Sequence, residues 1–395
     1  MAKKDTKKVI VDKTESLASV VAESINNSKN LGKEKLAHFL DEDVFLAANT
    51  ELWVPTGAVN LDLAISNRPH GGYPVGRIVE ITGLEATGKS LLAAHALAET
   101  QKAGGLAVFI DTENAVSREF FEALGVDISS MIYIENCYSL EKVYETVEEI
   151  INIVKEKSKK FKNLYCTIVV DSVAGVPTKA ELEGTFDQQG WNTGKAIINS
   201  MALRKLTSTV GNEKVLLIFT NQLRSKLGVA FGDPWTTSGG KALAFHASVR
   251  LRIKSMKQIK GKDKYGNEVV VGISTRVQVI KNRVGPPLRS ADFDIYFSSG
   301  IDANGGMLDM CVNYEIVTKP SVGWFEYIHE DSGEITKFRA KEFRDKILSN
   351  ETFNSDIYTK ICERYIMTYA KKEDLGLAEL SYVDEEGKET PIDNE

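Results

Sequence analysis

The sequence predicts an α/β fold. A mostly parallel central sheet flanked by helices is extended by antiparallel strands, with a small helical N-terminal arm and a small α+β C-terminal domain. Three observations predict it. Between residues 56 and 221, short apolar runs alternate with helical stretches; near-continuous apolar strands joined by helices belong to parallel sheets covered on both faces. Residues 83–90 read Gly-Leu-Glu-Ala-Thr-Gly-Lys-Ser, a phosphate-loop pattern set between an apolar strand and a helical run, as that pattern requires. Beyond Asn221 the helices give way to strands joined by polar turns, which is how antiparallel pairing reads in sequence.

In chain order, residues 14–28 put Leu17, Val20, Val21 and Ile25 on one stripe at helical spacing. This helix packs on its own domain or docks on a neighbouring subunit; its pattern fits both. A second short helix is expected over 33–40. Parallel strands are expected at 77–83, 107–112, 131–134, 167–171 and 215–220, with helices at 89–103, 117–124, 140–157 and 196–210. Antiparallel strands follow at 248–256, 273–282 and 291–297. Helices at 340–349 and 354–371 then mark a separate region. The expected domains are an arm (1–49), a core (50–301), a small α+β domain (302–382) and an acidic tail (383–395).

Composition narrows the class. Of 395 residues, 43% are hydrophobic and 26% charged, values ordinary for a globular protein. No apolar run approaches the ~18 residues a membrane-spanning helix needs. The four cysteines are widely spaced with no C-x-x-C pair, so they read as reduced thiols in a cytosolic protein. The five histidines form no metal-ligand pair at helical spacing. A net charge of −6 argues only weakly against nucleic acid, because phosphate is met by local cations, not by the total.

The phosphate loop comprises Gly83, Leu84, Glu85, Ala86, Thr87, Gly88, Lys89 and Ser90. Its glycines let backbone N–H groups crowd onto a polyphosphate, and the following helix adds its positive end. Lys89 is expected to reach the β- and γ-phosphates of a nucleoside triphosphate, and the Ser90 hydroxyl to ligate Mg2+. The apolar strand ending in Asp171 supplies a carboxylate as the second metal-side partner beside Ser90, acting through water. Attacking water needs a base at a neighbouring strand end; Asp111 and Glu113 both qualify. Period-two alternation puts them on one face if the strand continues, so spacing leaves that choice open. Gln222 ends a further buried strand, where it can sense a γ-phosphate.

Residues 223–240 follow, with four glycines, a proline, Arg224, Lys226, Phe231 and Trp235. This composition denies the stretch a regular fold, and long loops within compact domains are normally functional or disordered. Cations among aromatics suit single-stranded nucleic acid, whose phosphates need charge and whose bases need flat partners. The stretch 183–194 carries a weaker signal of the same kind.

These pieces, in this order, closely resemble the RecA recombinase family of bacteria and their phages. The resemblance covers roughly 50–300. It is carried by Gly76-Arg-Ile-Val-Glu-Ile, Phe109-Ile-Asp-Thr-Glu-Asn-Ala, Ile168-Val-Val-Asp-Ser-Val-Ala, Asn221-Gln-Leu-Arg-Ser-Lys-Leu-Gly-Val and Thr236-Thr-Ser-Gly-Gly-Lys-Ala-Leu. It implies an ATP-dependent, Mg2+-requiring helical filament that binds single-stranded DNA, pairs it with homologous double-stranded DNA and exchanges strands. By position, Glu113 matches the family's catalytic glutamate and Gln222 the glutamine that links ATP state to DNA binding. The stretches 183–194 and 223–240 match the two DNA-binding loops, the second including Gly239 and Gly240. Lys281 and Arg283 match cations that reach a neighbouring subunit's ATP, as arginine fingers do. Phe120 and Phe297 match two adenine-side tyrosines, keeping the ring but losing the hydroxyl. Arg283 stands where the family has lysine, a change of fork geometry. The first loop gains Trp191 and a residue of length; in the second, Ala230 replaces a bulkier residue, leaving Val229 and Phe231 as wedges between bases. Arg204, Arg224, Lys226 and Arg250 are the expected phosphate contacts.

Overall fold

The computed structural model describes residues 17–28, 37, 50–158, 164–185, 191–226, 234–329, 333–368, 381–383 and 389–391. Residues 1–49 and 50–395 form two separate units. In the first, α1 (Leu17–Asn26) leaves Val20, Val21 and Ile25 exposed. The Asn26 side chain pairs with both backbone groups of Ala37, at 2.8 and 2.9 Å. The helix expected over 33–40 lies outside the described residues apart from Ala37.

The second unit opens with β1 (Trp53–Val54), α2 (Val59–Ser66) and β2 (Tyr73–Pro74). Next come β3 (Ile78–Gly83), α3 (Lys89–Lys102), β4 (Leu106–Asp111), α4 (Arg118–Ala123), β5 (Ile132–Ile134) and α5 (Leu140–Ser158). Then follow β6 (Cys166–Asp171), α6 (Lys179–Glu183), α7 (Trp191–Asn212), β7 (Val215–Ser225), β8 (Trp235–Thr237) and α8 (Ala242–His246). The strands β9 (Val249–Lys262), β10 (Glu268–Asn282), β11 (Ser290–Tyr296) and β12 (Gly300–Ile301) complete the core. Beyond them lie α9 (Met307–Asn313), β13 (Val317–Ser321), β14 (Trp324–Ile328), β15 (Ile335–Phe338), α10 (Glu351–Tyr365), β16 (Ser381–Val383) and β17 (Glu389–Pro391).

Among the described residues the central sheet has ten strands, in the order β12-β11-β10-β9-β3-β7-β6-β4-β5 with β8 beside β7. From β9 to β5 every pair is parallel; β10, β11, β12 and β8 are antiparallel. The alternation of apolar strand and helix thus produces the expected architecture. Strands β3 and β6 are buried along their whole length because helices cover both faces. One core packs α2 and α3 against Val79, Ile81, Phe109 and Val169, and the other packs α5 and α7 against Ile78, Val108, Ile168 and Phe219. A third core joins α9, α10 and the sheet β13-β14-β15 around Tyr327, Phe338 and Ile361, and takes in Leu63 of α2.

Local chemistry sets several boundaries. Ser117 Oγ caps α4 by accepting from Phe120 N, and Thr178 with Glu181 forms a reciprocal capping box on α6. Some expectations are corrected. The segment expected as a helix at 340–349 is a 3-10 turn over Ala340–Glu342 followed by a π turn over Arg344–Leu348. Strands β9 and β10 reach past the expected strand ends at 256 and 273, forming a long ribbon with exposed lysines. The flanks of 223–240 are regular: Leu223, Arg224 and Ser225 of β7 pair with Thr237, Thr236 and Trp235 of β8. Two antiparallel strand ends satisfy each other's backbone groups, which composition alone does not reveal. No described helix is long and apolar enough to cross a membrane, and the four cysteines are buried and free.

Candidate nucleotide and nucleic-acid site

The carboxyl ends of β3, β7, β6 and β4 lie side by side, where parallel sheets form their ligand crevices. Register places Gly83 opposite Gln222 and Asp111 opposite Asp171. The phosphate loop bridges β3 and α3. A Cβ on Gly83 would come within 2.6 Å of both Thr87 Oγ1 and Ile253 Cγ2, so only glycine fits. Gly88 takes a φ of 94°, a left-handed conformation that glycine adopts without strain. Thr87 Oγ1 and Lys89 Nζ both donate to the Leu84 carbonyl, at 2.9 and 2.7 Å. Leu84, Glu85 and Ala86 form an exposed lip. Burial pulls the Lys89 ammonium below its usual range, while Asp171, Glu113 and Glu85 hold it up.

Asp171 is nearly buried and accepts hydrogen bonds from the Thr220 and Ser90 hydroxyls. Burial pushes its carboxyl up, those hydroxyls pull it down, and Glu113 and Asp111 push it up again. Buried acid crowded by like charge gains from a counter-cation, and oxygen donors from a hydroxyl and a carboxylate suit a hard divalent ion. The residues present therefore fit ATP with Mg2+.

Asp111 and Glu113 separate clearly. Strand β4 stops at Asp111, so the alternation that would align them does not run on. Asp111 is buried, and its carboxylate accepts from the backbone N–H of Glu113 (2.9 Å) and Asn114 (2.7 Å) and from Tyr133 Oη (2.9 Å). Glu113 is exposed beyond it. Its Oε1 accepts from the buried Ser172 hydroxyl, the residue after Asp171. Thr112 fastens the same junction: its Oγ1 donates to Ser172 O at 2.7 Å and accepts from Ser172 N at 2.8 Å. Asp111 organises the turn, and Glu113 faces outward from it.

Gln222 is half-buried beside the loop, and β7 runs on without interruption into the β7–β8 hairpin. One residue earlier, buried Asn221 donates from Nδ2 to Glu80 Oε1 (3.0 Å) and to Ser238 O (3.3 Å). Glu80, fully buried on β3, also takes the Arg250 guanidinium at 2.5 Å. Arg250 is thus held by an internal carboxylate, because β3–β9 register sets it opposite Glu80; as an expected phosphate contact it departs from the sequence reading. Gly239 and Gly240 both have φ of 82°, and Asn199 Nδ2 donates to Gly239 O at 2.8 Å while Tyr144 Oη donates to Asn199 Oδ1 at 2.7 Å. Glu80 is legible in sequence as the one charge in Ile78-Val-Glu-Ile; Ser172, Thr112, Asn199 and Asn221 give no such signal.

The other expected residues fall into groups. Lys281 Nζ donates to the Ala244 and Phe245 carbonyls (2.8 and 2.7 Å), and Arg283 to Phe245 O (3.3 Å). Arg204, exposed on α7, joins them electrostatically: with Arg283 and Lys281 it adds to the burial that depresses His246. Arg224 is exposed on the hairpin; burial lowers the Lys195 ammonium, Glu181 holds it up and Arg224 adds a smaller push down, and that ammonium donates to Ala174 O at 2.8 Å. Lys226 closes the hairpin through its N–H to Pro234 O at 2.8 Å. Phe120 is half-buried and packs edge-on against Phe121, whereas Phe297 is exposed. Trp191 opens α7; Val229 and Phe231 lie outside the described residues.

Comparison with known proteins accords with this geometry. The family model for the RecA N-terminal domain matches residues 19–302, and that for the C-terminal domain of the bacteriophage T4 recombination and repair protein matches 304–359. Protein RecA of Bacteroides thetaiotaomicron is 41% identical over 80% of this chain and 88% of its own length. That of Gloeobacter violaceus is 42% identical over 71% of this chain and 70% of its own. That of Lactobacillus acidophilus is 37% identical over 95% of this chain and 93% of its own. With its phosphate loop, strand order and both ends of the 223–240 segment in place, and with this likeness along most of its length, the chain belongs to the RecA family.

Proposed function

We propose that the protein is an ATP-dependent homologous recombinase that assembles as a helical filament on single-stranded DNA and exchanges strands with a homologous duplex. Membership of the RecA family supports a role in DNA recombination and repair. The observation that carries the finer reading is a shared strand: β7 sets Gln222 beside Gly83 of the phosphate loop and continues directly into the hairpin that roots 223–240. A change at the γ-phosphate is thereby delivered to the DNA-binding segment through one rigid element.

Lys89 and the α3 N-terminus hold the phosphates, and Ser90 with Asp171 holds Mg2+, which when bound neutralises charge on the transferring phosphoryl group. Glu113 orients the attacking water and takes its proton. Lys281 pairs in register with Arg250, and Asn282 with Val249, which in turn faces Val79; Gly83 lies four residues further along β3. The cation pair thus sits about 13 Å along the strand direction from its own phosphate loop, toward the opposite strand ends. From there the cations serve the nucleotide of an adjacent copy, so ATP is held between subunits. Hydrolysis removes the anion both copies share, and the filament loosens.

ATP hydrolysis measured with and without single-stranded DNA, followed by electron microscopy, tests the reading. DNA-stimulated turnover and helical filaments are expected. A protein that stays monomeric with a non-hydrolysable ATP analogue and oligonucleotide both saturating rules it out.

A further inference from the structure

We infer that Ser172 is a positioning residue for hydrolysis, its hydroxyl fixing which oxygen of Glu113 faces the attacking water. The inference rests on Glu113 being the base. Ser172 is buried at the crevice floor and donates from Oγ to Glu113 Oε1. Its own backbone is immobilised by the two hydrogen bonds with Thr112 Oγ1, at 2.7 and 2.8 Å, and Thr112 N donates to Asp171 O at 2.9 Å. These three bonds continue the β4–β6 pairing one step past Asp111 and Asp171, where the ladder ends. A glutamate beyond a strand end has three free torsions, and an exposed carboxylate left to itself samples many rotamers. A donor on rigid backbone removes that freedom at one oxygen and leaves Oε2 of this exposed residue to meet the water. Gly175 lies close by: a Cβ there would sit 3.8 Å from Glu113 Oε1, in ordinary contact. Ser172 needs no contact with ATP; it acts through Glu113, and misplacement of a reacting group by about 1 Å can cost on the order of a hundredfold in rate.

The test compares Ser172→Ala, Glu113→Gln and the double variant by steady-state ATP hydrolysis on saturating single-stranded DNA, with affinity for a fluorescent ATP analogue measured in parallel. Ser172→Ala is expected to lower kcat about tenfold, with KM and analogue affinity within about twofold of the parent. In the Glu113→Gln background the same substitution is expected to change the residual rate less than about twofold, since the group it positions has gone. If Ser172→Ala keeps kcat within about twofold while Glu113→Gln is impaired, the positioning role is wrong and the reading of Glu113 stands. A tenfold loss repeated in the Glu113→Gln background makes the effect general and overturns the inference. Normal turnover by Glu113→Gln removes both. Should Ser172→Ala fail to fold, Ser172→Cys, close in size with only a weak donor, carries the same comparison.

Discussion

Glu113 stands where the β4 backbone leaves the sheet, exposed, while Asp111 two residues earlier is consumed by backbone N–H groups and Tyr133. Glu113→Gln should therefore bind ATP normally and lose turnover by about a hundredfold or more, read by single-turnover hydrolysis. Lys281 offers a pH test. Burial first, then Arg283 and Arg250, bring its ammonium down to about 8. Its charge is lost as pH rises through that value, so DNA-stimulated hydrolysis should fall on the basic side. Lys281→Arg, which stays protonated, should flatten that limb in a pH–rate profile. His95 works in the other direction. Burial, with a smaller push from Lys102, lowers its imidazole to about 4 from 6.5, and its Nε2 accepts from Ile301 N at 3.0 Å. The unfolded chain takes up this proton first on acidification. Stability present above pH ~6.5 is thus lost progressively down to pH ~4, by about 3 kcal/mol in all. Urea unfolding at pH 7 and pH 4.5 should register the loss in the parent and much less of it in His95→Gln.

At the scale of elements, the hairpin of β7 and β8 decides how the segment between them is presented. Its base is tied to α7 through Asn199 and Gly239 and to β3 through Asn221 and Glu80. Arg250 completes that tie from β9. Arg250→Ala leaves the Glu80 carboxylate buried without its cation, and should cost about 3–5 kcal/mol in denaturant unfolding. Because Arg250 faces Glu80, the same change should leave the salt dependence of single-strand binding unaltered. Arg224→Ala, on the exposed hairpin, should instead reduce the slope of log affinity against log salt by about 0.7. Equal slopes for both variants would reject this division between an internal brace and a phosphate contact.

For the whole molecule, the sheet carries phosphate-binding groups at the carboxyl end of β3 and a cation cluster toward the opposite strand ends, two strands away. In the proposed filament, each crevice would be closed by the Lys281 and Arg283 of the next copy, which lie away from their own phosphate loop. Arg204 and His246 lie with that cluster, so α7 contributes to the same face. Cooperative dependence of hydrolysis on protein concentration is the expected consequence, and a rate strictly proportional to concentration at every DNA occupancy would contradict it.

The sequence by itself determined the class of sheet, the phosphate loop with Lys89 and Ser90, and the strand-end positions of Asp171 and Gln222. Each of these depends on local pattern: apolar period, glycine spacing, a polar residue at a strand end. It could not choose Glu113 over Asp111 without the family resemblance, because that choice depends on where β4 stops. Nor could it show that Arg250 faces a buried carboxylate, that Ser172 braces Glu113, or that the ends of 223–240 are paired strands. Those contacts join residues 10 to 170 positions apart, and only tertiary register, fixed by packing on both faces of the sheet, brings them together.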